Sequence, residues 1–288
     1  MIIVKLIEGL GNQMFQYAMG RYIAHKNNTK FKLDKIGFLD YKLHEYGLCN
    51  FNIKENFATK KEINYFKKYK KSNKKIIRKF YNALFADESK YILEHQFNFI
   101  PNIFNAKNNV YLDGFWQSEK YFIDIKDIIK KDFTIKNPSN KYKNKVTQIK
   151  SKNSISLHIR RGDYVKNKET LKHHGICSLD YYNKAIQIVK KKLDNPTFFI
   201  FSDDIEWVKK NLNTKSTNFF VSGGKLQNYE ELILMSKCKH NIIANSSFSW
   251  WGAWLNDNPK KIIIAPKKWF EVKKMNTIDL IPDSWIKI

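Results

Sequence analysis

The residues with the most chemical potential lie in one stretch, Ser154-Ile155-Ser156-Leu157-His158-Ile159-Arg160-Arg161-Gly162-Asp163-Tyr164. Its apolar first half reads as a short buried strand, which runs straight into an imidazole, two guanidiniums and a carboxylate. A planar guanidinium donates two parallel hydrogen bonds, a geometry that suits a phosphate or diphosphate. Neighbouring side chains in extended chain point to opposite faces. Arg160 therefore shares a face with His158 and is the expected ligand-facing arginine. Arg161 is expected to pair with an acid such as Asp163 and hold the loop. Taken alone, Arg-Gly-Asp is an ordinary surface triplet; behind an apolar strand, the whole cluster points to an anionic ligand.

Two further clusters share this half of the chain. Ser202-Asp203-Asp204 offers carboxylates that accept from nucleobase N–H groups or ribose hydroxyls, although one of them serves equally as an N-cap. Asn245-Ser246-Ser247-Phe248-Ser249 opens a helix that carries Trp250, Trp251 and Trp254. Hydroxyls and N–H groups at a helix start form a phosphate site, and capping needs only one serine. The tryptophans are expected in the core. In the first half, Glu8-Gly9-Leu10-Gly11-Asn12-Gln13 sits between a strand and a helix, where backbone closely approaches a ligand. A tight turn explains the glycines equally well, with Asn12 as the N-cap. Farther on, Gly114-Phe115-Trp116-Gln117-Ser118 follows a strand; its rings either stack on a sugar face or cap the core.

These clusters must be positioned by elements that periodicity identifies. A strand at 2–6 precedes a helix at 13–25, with Met14, Tyr17, Ala18 and Tyr22 on its core face. A short strand is expected at 31–33 and another at 110–112. Residues 60–85 are helical in pattern and strongly basic, either a solvated face or an amphipathic surface drawn to anionic lipid. The polar run 137–145 reads as a linker. Beyond it, strands at 155–159, 197–201, 219–221, 240–243 and 262–265 alternate with helices at 179–193, 205–212, 228–236 and 249–255. A loop is expected through His173-His174-Gly175. Such alternation means a parallel, doubly wound sheet, with the clusters at the carboxyl ends of its strands.

Composition narrows the class. The 288 residues, 43% apolar and 15% aromatic, suffice for two folded domains. A formal charge of +25 permits an acidic substrate, an anionic membrane surface or nucleic acid. Dispersal of the lysines along the chain weakens the nucleic-acid reading, which has no use for the strand-end clusters. Three cysteines far apart argue against disulfides and zinc, and there is no Asp-x-Asp pair for a divalent ion. The start has no basic leader, and no apolar run reaches the ~20 residues of a membrane span. A cytoplasmic protein is expected, with peripheral contact at the inner membrane face through 60–85.

In order along the chain, six blocks resemble glycosyltransferase family 11, the bacterial α-1,2-fucosyltransferases. These are Gly9-Leu10-Gly11-Asn12-Gln13-Met14-Phe15-Gln16-Tyr17-Ala18, Gly114–Phe122, His158–Tyr164, His174-Gly175-Ile176-Cys177-Ser178-Leu179-Asp180-Tyr181-Tyr182, Phe201-Ser202-Asp203-Asp204 and Asn245–Leu255. Residues 26–108 carry no block. The resemblance implies an α/β, GT-B-like fold: two Rossmann-type domains with parallel doubly wound sheets facing a cleft. It divides the chain into an acceptor-side domain at 1–145 and a GDP-sugar-binding domain at 146–288. The implied reaction is inverting, metal-independent transfer of L-fucose from GDP-β-L-fucose to the 2-hydroxyl of a terminal β-galactoside. Bacterial O-antigen or capsule synthesis fits, with the acceptor free or lipid-linked; an α-1,6 linkage is the alternative.

In that resemblance Arg160 is catalytic and contacts the diphosphate. His158 and Asp204 lie at the guanosine end, Ser246, Ser247 and Phe248 at the phosphates. Gly11 and Asn12 close over the donor. Trp116 and Gln117 are expected on the acceptor side. Glu8, Asp163 and His174 are candidates for the general base, and no cofactor or metal is expected.

Overall fold

The computed structural model describes residues 1–40, 43–69, 90–224, 226–272 and 275–288. Two compact units divide it: residues 1–133 with 276–280, and residues 134–275 with 281–288. The break at Phe133/Thr134 precedes the expected 145/146 boundary, because the polar run at 137–145 is no linker. Ser139 caps a helix, Asn140–Lys150, by accepting from the Tyr142 N–H, and its own N–H donates to Glu230. The polarity of this stretch belongs to a cap and a solvated helix face. The late return to the first unit is fixed by Asp279, whose backbone and side chain accept from Ser118 and Phe99.

In the first unit, β1 (Ile2–Lys5), β2 (Phe31–Asp34), β3 (Tyr91–Leu93) and β4 (Val110–Asp113) form a parallel sheet in the order β2-β1-β4-β3. Helix Leu10–Lys26 packs against it, buried on all sides from Gln13 to Ala24 rather than along one stripe. Tyr17 and Arg21 on this helix both donate to buried Asp132. That pairing lets two polar groups lie in the interior. Of the basic segment, Lys60–Lys67 is a helix that starts on a Thr59–Glu62 capping box. Residues 70–85 of that segment lie outside the described residues.

In the second unit, β5 (Ser154–Ile159), β6 (Thr197–Ser202), β7 (Asn218–Phe220), β8 (His240–Ile242), β9 (Ile263–Ala265) and β10 (Ile286–Lys287) run parallel. Their order is β10-β9-β8-β5-β6-β7, the doubly wound arrangement with strand order reversing between β5 and β8. β5 and β6 are buried at every position, so neither alternates. Helix Leu179–Lys192 covers the sheet with Tyr181, Tyr182, Ala185, Ile186 and Val189. The expected loop before it is instead two short helices, Gly162–Lys166 and Lys168–His174. Among the described residues no helix is long and apolar enough to cross a membrane.

Candidate functional site

β5 and β8 flank the switch point of the second sheet, the place where open α/β sheets bind ligands. At the end of β5, His158 is buried and Arg160 about one-quarter exposed. Burial, with help from the Arg160 charge, lowers the His158 pKa to about 3, so its ring is neutral. Its Nδ1 has no hydrogen-bond partner, and the ring lies 5.7 Å from that of Phe248.

Arg160 is held from the end of β6. One Asp203 oxygen lies 3.0 Å from its guanidinium, and the other accepts from the Arg161 N–H at 2.8 Å. A Cβ at position 162 would stand 2.7 Å from Asp203 Oδ2, so glycine is what lets this carboxylate close on the turn. The Arg160 guanidinium also lies 5.3 Å from the Tyr164 ring, which stacks on His174 at 4.8 Å. Tyr164 and His174 thus form a column beside the arginine.

Arg161 pairs with an acid, as expected: Asp204 lies 3.5 Å away, and the guanidinium stacks 3.6 Å above Trp207. Parity along β5 sends it toward the helix Ile205–Asn211. Asp204, expected at the guanosine end, caps that helix by accepting from the Trp207 N–H and is Arg161's acid. The Asp163 side chain lies outside the described residues.

After β8, Ser246 occupies the N-cap position of helix Ser247–Trp254, but its hydroxyl makes no capping bond. Ser249 turns inward to the carbonyls of Ala244 and Ser246, which removes it from any ligand role. Ser246, Ser247 and Phe248 therefore surround a helix start without a side-chain cap, on the strand next to Arg160. The role of Asn245 has no signature in the sequence. Its buried amide donates to the carbonyls of His174 and Trp269, tying two loops to the end of β8. Trp250, Trp251 and Trp254 are core residues.

The first sheet reverses between β1 and β4. There Asn12 Nδ2 donates to Glu8 at 2.8 Å, and Gln117 donates to Asn12 Oδ1 at 2.7 Å. Donors and acceptors alternate, so the relay runs from Gln117 through Asn12 to the Glu8 carboxylate. Asn12 is not an N-cap: the helix begins at Leu10 on Gly9, with Asn12 and Gly11 inside its first turn. Glu8 sits at φ 62°, a left-handed conformation uncommon outside glycine. Trp116 also has positive φ and is fully buried against Tyr121, so its rings offer no face to a sugar. The turn that carries it is clamped by Glu94, which accepts from the N–H groups of Phe115 and Trp116. Burial raises the Glu94 pKa to about 7. Nothing in the sequence around Glu94 signals this role.

Among the described residues, no group of three His, Cys, Asp or Glu is arranged to hold a metal ion. The profile of glycosyl transferase family 11 matches residues 1–288. The chain belongs to glycosyl transferase family 11. An Escherichia coli α-1,2-colitosyltransferase is 40% identical over 292 residues, covering 100% of this chain and 98% of the relative. The Escherichia coli O-antigen biosynthesis glycosyltransferase WbnK is 34% identical, covering 97% and 98%. Human galactoside α-(1,2)-fucosyltransferase 1 aligns with 50% of the chain and 42% of its own length at 23% identity. The structure of NodZ α-1,6-fucosyltransferase soaked with GDP-fucose covers 91% of this chain and 94% of its own, with a TM-score of 0.52 at 14% identity. That of POFUT1 with GDP covers 91% and 97%, at a TM-score of 0.50 and 12% identity. These two likenesses support the GT-B-like, two-sheet architecture of this family 11 protein.

Proposed function

We propose that this family 11 glycosyltransferase moves L-fucose from GDP-β-L-fucose to the 2-hydroxyl of a terminal β-galactoside, with inversion and without a metal. The observation that carries the reading is Arg160, pinned by Asp203 beside the uncapped helix start at Ser246–Phe248. As the bond to the diphosphate breaks, negative charge grows on the β-phosphate oxygen. A preorganised guanidinium stabilises that charge more in the transition state than in the ground state. Neutral His158 and Phe248 would contact the nucleotide end, and the N–H groups after Ser246 its phosphates. Of the three base candidates, Glu8 has the best support, because the Asn12–Gln117 relay fixes its carboxylate. It would accept the proton of the attacking hydroxyl. His174 stacks on Tyr164 and is assigned to that column instead.

A second donor deserves a place in the test, since the relative at 40% identity is named for colitose. Colitose is fucose without its 3-hydroxyl, so the two donors differ by one hydrogen-bonding group. The purified protein is incubated with GDP-fucose, GDP-colitose or GDP-mannose, a panel of β-galactosides and EDTA. The expected product is an α-1,2-linked disaccharide end, identified by NMR. Product from GDP-colitose alone would move the donor assignment, an α-1,6 linkage would overturn the acceptor, and loss of turnover in EDTA would overturn the metal-free mechanism. O-antigen synthesis is the proposed setting.

A further inference from the structure

Beside the Glu8 turn, the first unit holds a mainly apolar cavity of about 370 Å³, walled by Phe38, Leu39, Tyr46, Phe57, Ile36 and Lys35. β2 ends at Asp34 and the wall begins at Lys35, so the cavity opens at the ligand edge of the first sheet. It is also joined to the relay. Gln13 Nε2 donates to the carbonyls of Glu8 at 2.7 Å and Glu45 at 2.9 Å, while its Oε1 accepts from the Gly47 N–H at 2.9 Å. The wall around residue 46 and the turn that carries Glu8 are thus one hydrogen-bonded body.

The walls have the chemistry of a sugar subsite. Tyr46 stands nearly perpendicular to Phe57, with ring centres 5.6 Å apart, and tilted from Phe38 at 6.4 Å. Its hydroxyl donates to Glu55 at 2.7 Å, which fixes the ring. The exposed Lys35 ammonium lies 3.7 Å from the centre of Phe57 and 5.1 Å from that of Tyr46. A pyranose entering with its electropositive C–H face would take the place of the Lys35 ammonium over Phe57. Lys35 and Glu45 then lie at the rim as donor and acceptor for hydroxyls. These residues fall inside 26–108, the part of the chain without family blocks.

We propose that the cavity between Phe38, Tyr46 and Phe57 binds the second sugar of the acceptor, the pyranose that carries the terminal galactose. The inference rests on the proposed galactoside transfer and names a determinant of its specificity. KM is measured for methyl β-galactoside and for β-1,3- and β-1,4-linked galactosyl disaccharides of glucose, N-acetylglucosamine and N-acetylgalactosamine. Wild-type protein is expected to prefer at least one disaccharide to the methyl galactoside. Phe38→Ala is expected to raise the KM of that disaccharide by about five- to tenfold, the scale of one lost ring contact, with methyl β-galactoside and donor hydrolysis unchanged. Lys35→Ala, at the exposed rim, repeats the test should Phe38→Ala lower the thermal midpoint. The subsite alone is overturned if galactosides are turned over but both variants leave the KM ratio at its wild-type value, or if the wild type shows no preference. Absence of transfer to every galactoside would overturn the proposed reaction itself, and the subsite with it.

Discussion

At the end of β5 the chemistry is ionic, with Arg160 against Asp203, Arg161 against Asp204 and a neutral imidazole between sheet and ligand edge. At the end of β1 it is an amide relay, Gln117 to Asn12 to Glu8, above a Lys5–Asp113 pair that ties β1 to β4. Both places are strand-order reversals in parallel sheets, so topology alone makes both ligand edges. Their chemistry separates them. The ionic site is suited to a group that gains negative charge, because its guanidinium is already positioned when that charge appears. The relay is suited to orienting one proton acceptor, because amides fix a carboxylate without neutralising it.

The strongest way to break this contrast is Arg160→Ala. It should cut kcat by about two to three orders of magnitude, the usual effect of removing one oxyanion donor, with an unchanged thermal midpoint. Turnover at the wild-type level would end the ionic assignment. Glu8→Gln keeps the shape of the relay and removes the proposed base, and should cost about two orders of magnitude in kcat. Affinity for GDP, measured by calorimetry, should stay the same; a parallel fall in GDP binding would place Glu8 with the donor instead. Gln117→Leu leaves Asn12 Oδ1 without its donor, and a transfer rate lower by about fivefold is expected from one such loss. No change in rate would show that Asn12 is held by the helix alone.

A smaller effect distinguishes the regions by sign. His158 has a folded pKa of about 3 against an ordinary 6.5, so the unfolded chain takes its proton first and stability falls as pH drops below 6.5. Glu94 has a folded pKa of about 7 against 4.5. The folded chain takes that proton first, so stability falls as pH rises from 4.5 through 7. Thermal midpoints between pH 4.5 and 7 should therefore fall less on acidification in His158→Gln, and less on alkalinisation in Glu94→Gln. Equal slopes in both variants and wild type would remove burial as the cause of either shift.

Much of the second unit was legible because parallel-sheet strands are short apolar runs bounded by polar turns, and Arg160 and Arg161 take different acid partners, as neighbours in extended chain should. Parity could not name their acids. Asp203 and Asp204 follow the end of a neighbouring strand more than forty residues away, and only the β5–β6 pairing sets them opposite the arginines. The same limit hid Glu94, which follows a three-residue strand too brief for a periodic signal. It also misplaced Trp116, where an aromatic after a strand reads alike whether it faces a ligand or the core.

The sequence by itself determined the fold class, the strand-end clusters and the family resemblance, because these reside in local periodicity and in contiguous blocks. Only the tertiary structure decided which carboxylate restrains which guanidinium, that Asn12 relays rather than caps, and that Trp116 is interior. Those are contacts between strands and loops remote in sequence, and their partners are chosen by strand order and register rather than by neighbours in the chain.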